Sequence, residues 1–84
     1  MNGLDPEQIA TAAFVEPNVD KNGFLDRERL FDILNPVFQG IAVVITQEDI
    51  RDELRTIETE SEKTLTRSEF IELVTKLRDS VWEY

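Results

Sequence analysis

The sequence predicts an all-α domain of four helices, arranged as two helix–loop–helix units. Four segments begin with residues that cap helices and continue with apolar residues at helical spacing. The helix–gap–helix pattern occurs twice within the 84 residues, which indicates an internal repeat. Because a chain of this length forms one small domain, we expect the two units to share a single core.

Start and stop signals delimit the first two helices. Asp5 precedes a proline, and this pair predicts a helix that begins at the proline and ends before Pro17. A second helix is predicted to follow Asp26. It is expected to end at Asn35, because the residue before Pro36 is disfavoured in the helical conformation.

The third and fourth helices begin with capping signals of their own. Thr46 followed by Asp49 is close to a capping box, and Thr66 followed by Glu69 is a complete one. The predicted organisation is a first unit over residues of about 5–35, a linker over about 35–45 and a second unit over about 46–82. The linker is unusually apolar, so its side chains are expected to pack on the core or to form an exposed patch.

The gap at residues 18–29, called loop one, has the pattern of a calcium-binding loop. Oxygen-bearing side chains alternate at its first, third and fifth positions, followed by Gly23 at the sixth and Leu25 at the eighth. A calcium loop needs this pattern, because alternate side chains point at the ion and the glycine allows a sharp turn.

The gap at residues 58–69, called loop two, keeps the same register with poorer ligands. It has Leu65 at the eighth position and Glu69 at the twelfth, and the flanking apolar residues recur at the same offsets as around loop one. Over nearly its whole length the chain resembles the EF-hand, calmodulin-like family. It looks like a single lobe of two degenerate hands, similar to a myosin light chain or half of calmodulin. The resemblance implies paired EF-hands in which Leu25 and Leu65 form a short two-stranded β-bridge between the loops.

Neither loop is expected to bind calcium at physiological concentrations. Arg29 replaces the bidentate glutamate at position twelve of loop one, and Lys63 replaces the turn glycine of loop two, where a positive φ would be costly. The vestigial ligand positions are Asn18, Asp20, Asn22 and Asp26 in loop one and Glu58, Glu60, Glu62 and Glu69 in loop two. No cofactor is therefore expected. The alternative is a weak calcium site in loop one, and a simpler interpretation is that these residues only shape stable loops.

Composition excludes several classes of function. With no cysteine and no histidine there is no disulfide framework, no thiolate or imidazole zinc site and no histidine base, so we expect no enzymatic activity. The 18 acidic and 9 basic side chains give a net charge of −9, which disfavours nucleic acid and anionic membranes and favours a cation or a basic peptide. No signal peptide or membrane-spanning run is present, so a cytoplasmic location is expected. The resemblance to myosin light chains implies an association with the cytoskeleton.

The family resemblance implies an apolar groove that accepts an amphipathic helix. The candidate groove residues are Phe14, Phe31, Leu34, Val37, Phe38, Ile41, Leu54, Phe70, Ile71, Val74 and Leu77. Among them, Phe31, Phe38, Ile41 and Ile71 are expected to contact a partner, because a two-hand core does not obviously bury them.

The function predicted is that of a calcium-independent light chain or adaptor. Its partner would be a basic amphipathic helix, such as the IQ motif in the neck of an unconventional myosin. The alternatives are a calcium sensor or buffer, and a structural calcium-insensitive domain of the α-actinin or spectrin type.

Overall fold

The computed structural model describes residues 5–16 and 18–81, which form four α-helices and a two-stranded antiparallel sheet. Helices α1 and α2 precede the linker, and α3 and α4 follow it. The elements are α1 Pro6–Ala13, β1 Leu25–Asp26, a 3-10 turn Arg27–Arg29, α2 Leu30–Gln39, α3 Gln47–Leu54, β2 Thr64–Leu65 and α4 Arg67–Val81.

The predicted starts of α1 and α3 are confirmed by their capping hydrogen bonds. The Asp5 carboxylate accepts from the Glu7 N–H at 3.1 Å. Thr46 Oγ1 accepts from the Asp49 N–H at 3.1 Å, and Asp49 Oδ2 accepts from the Thr46 N–H at 2.9 Å, so this capping box is complete. At the other end α1 finishes at Ala13, whereas the predicted stop at Pro17 lies outside the described residues.

The predicted end of α2 at Asn35 is wrong, because the helix continues through Pro36 to Gln39. Pro36 has no N–H to donate to the preceding turn, an arrangement that costs about 3 kcal/mol relative to alanine in a helix interior. The continued helix carries Phe38 into the core, where it is completely buried. Beyond the proline the backbone bonding resumes, since the Gly40 N–H donates to the Pro36 carbonyl at 3.1 Å.

Some side chains of the apolar linker pack on the core and one is exposed, so both outcomes expected for the linker occur. Ile45 is buried in the core and Val43 is partly buried against it, with the Val43 N–H donating to the Phe38 carbonyl at 2.9 Å. Val44, by contrast, is 81% exposed. Ala42, which has a φ of 63°, lies in the turn that follows α2.

The predicted β-bridge is confirmed with the expected register. Leu25 is paired with Leu65 and Asp26 with Thr64, in antiparallel orientation. Both leucines are completely buried, so the eighth positions of the two loops meet inside the domain.

Around this bridge, α4 packs against both α1 and α3, and α2 packs against α3. The buried apolar residues come from both units: Ala10, Ala13, Leu25, Leu30, Leu34, Phe38, Ile45, Ile50, Ile57, Leu65, Phe70, Leu73, Val74 and Leu77. A single buried cluster therefore contains residues of both units. Within the described residues, no helix combines the length and the apolar character that a bilayer-spanning segment requires.

Candidate functional site

Loop one is a tight turn organised around the Asp20 carboxylate. Asp20 Oδ1 accepts from the N–H groups of Asn22 and Phe24, both at 2.9 Å. The Asp20 N–H donates to the Phe24 carbonyl at 2.9 Å, and the Asp20 carbonyl accepts from the Gly23 N–H at 3.0 Å. Gly23 has a φ of 82°, as expected for the glycine at position six. The Asp20 carboxylate thus serves as a hydrogen-bond acceptor for backbone N–H groups of its own loop.

Two other ligand positions of loop one are also bound to protein atoms. Asp26 Oδ1 accepts from the Glu28 N–H at 2.9 Å and caps the 3-10 turn. The Asn18 side-chain amide donates to the Ala13 carbonyl at 3.2 Å, which ties the start of the loop to the end of α1. At position twelve, Arg29 is exposed.

Loop two forms a different turn from loop one. The Ser61 hydroxyl accepts from the N–H groups of Lys63 at 3.1 Å and Thr64 at 3.3 Å. Among the described non-glycine residues only Ala42 has a positive φ, so Lys63 avoids the costly conformation that its position in the register would impose. The organising side chain is at loop position four here and at position three in loop one, which explains how a lysine replaces the glycine.

Both carboxylate oxygens of Glu69 in loop two accept hydrogen bonds from the backbone. Its Oε1 accepts from the Thr66 N–H at 2.8 Å, and Thr66 Oγ1 accepts from the Glu69 N–H at 3.2 Å, so the predicted capping box is confirmed. Its Oε2 accepts from the Glu60 N–H at 2.9 Å, across the loop. Glu69 is only 8% exposed. Both oxygens that a bidentate calcium ligand would offer are therefore held by backbone amides.

A guanidinium joins the two loops. The Arg27 Nη2 atom donates to Thr59 Oγ1 at 2.6 Å and to the Ser61 carbonyl, and the Arg27 N–H donates to the Lys63 carbonyl at 3.0 Å. The side chain is half-buried. This contact was not predicted from the sequence, because arginine at loop position ten gives no local signal of a partner more than 30 residues away.

Taken together, the donor sets of the two loops do not fit a calcium ion. Such an ion needs six to eight oxygens, usually with a bidentate glutamate at position twelve. Loop one has Arg29 there, and in loop two each carboxylate oxygen of Glu69 accepts a hydrogen bond from a backbone amide. Within residues 5–16 and 18–81, no three acidic side chains converge as metal ligands would. The remaining predicted ligands, Asn22, Glu58, Glu60 and Glu62, have exposed side chains.

A cleft of about 470 Å³ lies between α1 and α2 and is called the α1–α2 cleft. It is lined by Gln8, Ile9, Ala12, Ala13, Asn18, Arg29, Asp32, Ile33 and Val37. Ile9, Ile33 and Val37 are only partly buried against the core. Apolar surface is thus accessible between two helices of the same unit.

A second cleft of about 440 Å³ lies between α2 and α3 and is called the α2–α3 cleft. It is lined by Arg27, Glu28, Leu30, Phe31, Gln47, Ile50, Arg51 and Leu54. Its floor is apolar, while its polar rim contains two arginines and one glutamate.

The structure separates the candidate groove residues into two groups. Five of them are completely or almost completely buried: Leu34, Phe38, Phe70, Val74 and Leu77. Six are partly buried against the core: Phe14, Phe31, Val37, Ile41, Leu54 and Ile71. The expectation that the core leaves Phe38 accessible is wrong, because the extension of α2 past Pro36 turns this ring inward.

Three of the candidates line a cleft: Val37 lines the α1–α2 cleft, and Phe31 and Leu54 line the α2–α3 cleft. Ile9 and Ile33 line the α1–α2 cleft and were not among the candidates. Their positions on the apolar stripes of α1 and α2 are the signal that could have identified them.

Comparison of the chain with protein-family models, with curated protein sequences and with solved structures found no match.

Proposed function

We propose that the chain is a pair of degenerate EF-hands that binds a basic amphipathic helix of a partner protein without calcium, as a light chain or adaptor does. The α1–α2 cleft is the observation that carries this proposal. It offers accessible apolar surface between two helices, a geometry suited to the apolar stripe of a third helix. An IQ motif in the neck of an unconventional myosin is an example of such a helix.

The EF-hand assignment is supported by the geometry of the loops. Two helix–loop–helix units are joined through the eighth residue of each loop, Leu25 and Leu65. Gly23 at position six of loop one has a positive φ, and Glu69 at position twelve of loop two caps the following helix. The resemblance rested on these residues at these loop positions, and the structure adds their conformation and contacts.

The charge of the chain favours a basic partner. With 18 acidic and 9 basic side chains, the domain attracts lysine-rich and arginine-rich segments at long range. Apolar contacts in the cleft would provide affinity, whereas the charges would mainly accelerate association and select against acidic helices.

Independence from calcium is supported by hydrogen bonds between protein atoms, which hold the two loops in place as a bound metal ion would. Glu69 is held by two amides, and Arg27 links the loops through Thr59 and Ser61. A lobe already fixed by these bonds needs no ion to position its helices. Its affinity for the partner helix should therefore be the same in calcium and in chelator.

Substitution of Val37 in the α1–α2 cleft tests the proposal. Val37→Asp is expected to weaken the binding of a synthetic basic IQ-type peptide by at least about tenfold, roughly 1.4 kcal/mol, because a carboxylate would be desolvated against the apolar face of the peptide. The measurement is isothermal titration calorimetry, performed once with calcium and once with chelator.

Val44→Asp is the matched control, since it makes the same change of size and charge at a residue that is 81% exposed and outside both clefts. It should alter the affinity less than twofold. Equal weakening by both variants, or no binding of the peptide by the unaltered domain, would contradict the proposal. Binding that requires calcium would refute the calcium-independent part alone.

A further inference from the structure

We propose that the α2–α3 cleft is a binding site for a small amphipathic carboxylate, a molecule with an apolar body and one anionic head. The cleft is separate from the α1–α2 cleft, so the inference does not rest on the proposed function. Its volume of about 440 Å³ lies within the range typical of small-molecule sites.

The floor of the cleft fits the apolar body. Leu30 and Phe31 come from α2, and Ile50 and Leu54 come from α3. Leu30 and Ile50 are almost fully buried, whereas Phe31 and Leu54 are only partly buried against the core. An alkyl or aryl group placed between the two helices would cover the accessible part of these side chains, which favours binding.

The rim of the cleft fits an anionic head. Two of the nine basic residues of the chain, Arg27 and Arg51, line this cleft beside a single acid, Glu28. The local balance is thus positive, +2 − 1, in a domain whose net charge is −9. A site that concentrates positive charge on so acidic a chain favours a carboxylate over a cation or a basic peptide.

The two guanidiniums differ in what they offer such a ligand. The Arg51 side chain makes no hydrogen bond or ion pair within the part of the chain that the structure describes, and it is exposed at the rim. Arg27 uses Nη2 on loop two, while its buried Nε has no hydrogen-bond partner. Because the buried Nε of Arg27 has almost no accessible surface, Arg51 is the residue that offers a carboxylate the forked geometry that arginine prefers, while Arg27 adds its positive charge beside it.

Titration of the isotope-labelled domain with octanoate tests the inference by nuclear magnetic resonance. Octanoate is expected to shift the amide signals of Phe31, Ile50 and Leu54 in a saturable manner. Octylammonium, which has the same chain and the opposite charge, should bind at least about tenfold more weakly. 1-Octanol, with the same chain and no charge, should lie between them.

Arg51→Gln should weaken octanoate binding about tenfold, as expected for the loss of one charged hydrogen-bond partner. The matched control is Arg55→Gln, which removes the same charge from an exposed residue next to α3 that lines neither cleft. It should change the affinity less than twofold. Equal effects of the two variants, equal binding of octylammonium, or signal changes confined to residues outside this cleft would overturn the inference.

Discussion

Phe70→Asp is expected to unfold the domain completely. Phe70 has no exposed surface and packs edge-to-face on Phe14, with ring centroids 5.6 Å apart. Truncation of a buried phenylalanine typically costs about 3–5 kcal/mol, and the carboxylate would in addition be buried without a partner. A domain of this size has roughly 5–10 kcal/mol of stability in total. Circular dichroism should therefore show loss of helicity at 25 °C.

Phe24→Asp is the control, because it makes the same substitution at a phenylalanine that is 38% exposed in loop one. It should lower the free energy of unfolding by less than about 1 kcal/mol, as is usual for a surface substitution. A Phe70→Asp domain that kept the helicity and the thermal midpoint of the unaltered chain would refute the register that places this ring in the shared core.

Glu69→Ala is expected to lower the free energy of unfolding by about 2–4 kcal/mol. The substitution leaves the Glu60 and Thr66 N–H groups without their acceptors and removes half of the α4 capping box. For a chain of this length, such a loss corresponds to a decrease in Tm of roughly 10–20 °C. Glu69→Gln, which keeps one side-chain acceptor oxygen, should lose about half as much. Thermal denaturation followed by circular dichroism measures both changes.

The informative feature of this experiment is its dependence on calcium. If Glu69 acts through the amides, the destabilisation is the same in chelator and in millimolar calcium. If it acts as a metal ligand, the loss appears only when calcium is present. Glu72→Ala, an exposed glutamate on the same helix, is the control and should move Tm by less than about 3 °C.

Much of the fold could be predicted from the sequence, because its signals are local. The Asp5, Thr46 and Thr66 caps depend on residues no more than three positions away, and α1, α3 and α4 start where these caps predict. The start predicted for α2 after Asp26 is wrong, because Asp26 caps a 3-10 turn and the α-helix begins only at Leu30. The pairing of Leu25 with Leu65 was implied by the resemblance to the EF-hand family, which rests on the register of the two loops.

Two of the three features that could not be predicted depend on contacts distant in sequence. A proline usually ends a helix, yet α2 continues through Pro36 because this places Phe38 in the core. Lys63 at a glycine position suggested strain, and the Ser61 turn avoids it. The Arg27 contact with loop two spans more than 30 residues. At Pro36 tertiary packing outweighs the local preference, whereas the Ser61 turn is local and replaces the glycine turn that the loop register suggested.

The candidate binding residues were predicted less accurately than the fold. Apolar spacing identifies the face of a helix that is turned inward, but it does not distinguish a residue at the bottom of the core from one at the edge of a cleft. Leu34 and Val37 lie on the same stripe of α2; the first is completely buried and the second lines the α1–α2 cleft. That difference depends on how far α1 and α2 are separated, which no local pattern encodes.

Thermal unfolding of the unaltered domain, with and without calcium, is the most direct test of whether protein contacts rather than a metal ion fix the loops. At 1 mM calcium we predict a Tm within about 2 °C of the value in chelator; even a site in loop one with a millimolar Kd would contribute only about 0.4 kcal/mol. A site with a Kd of 10 μM would add about 2.7 kcal/mol and raise Tm by more than 10 °C. An increase of that size would contradict the account.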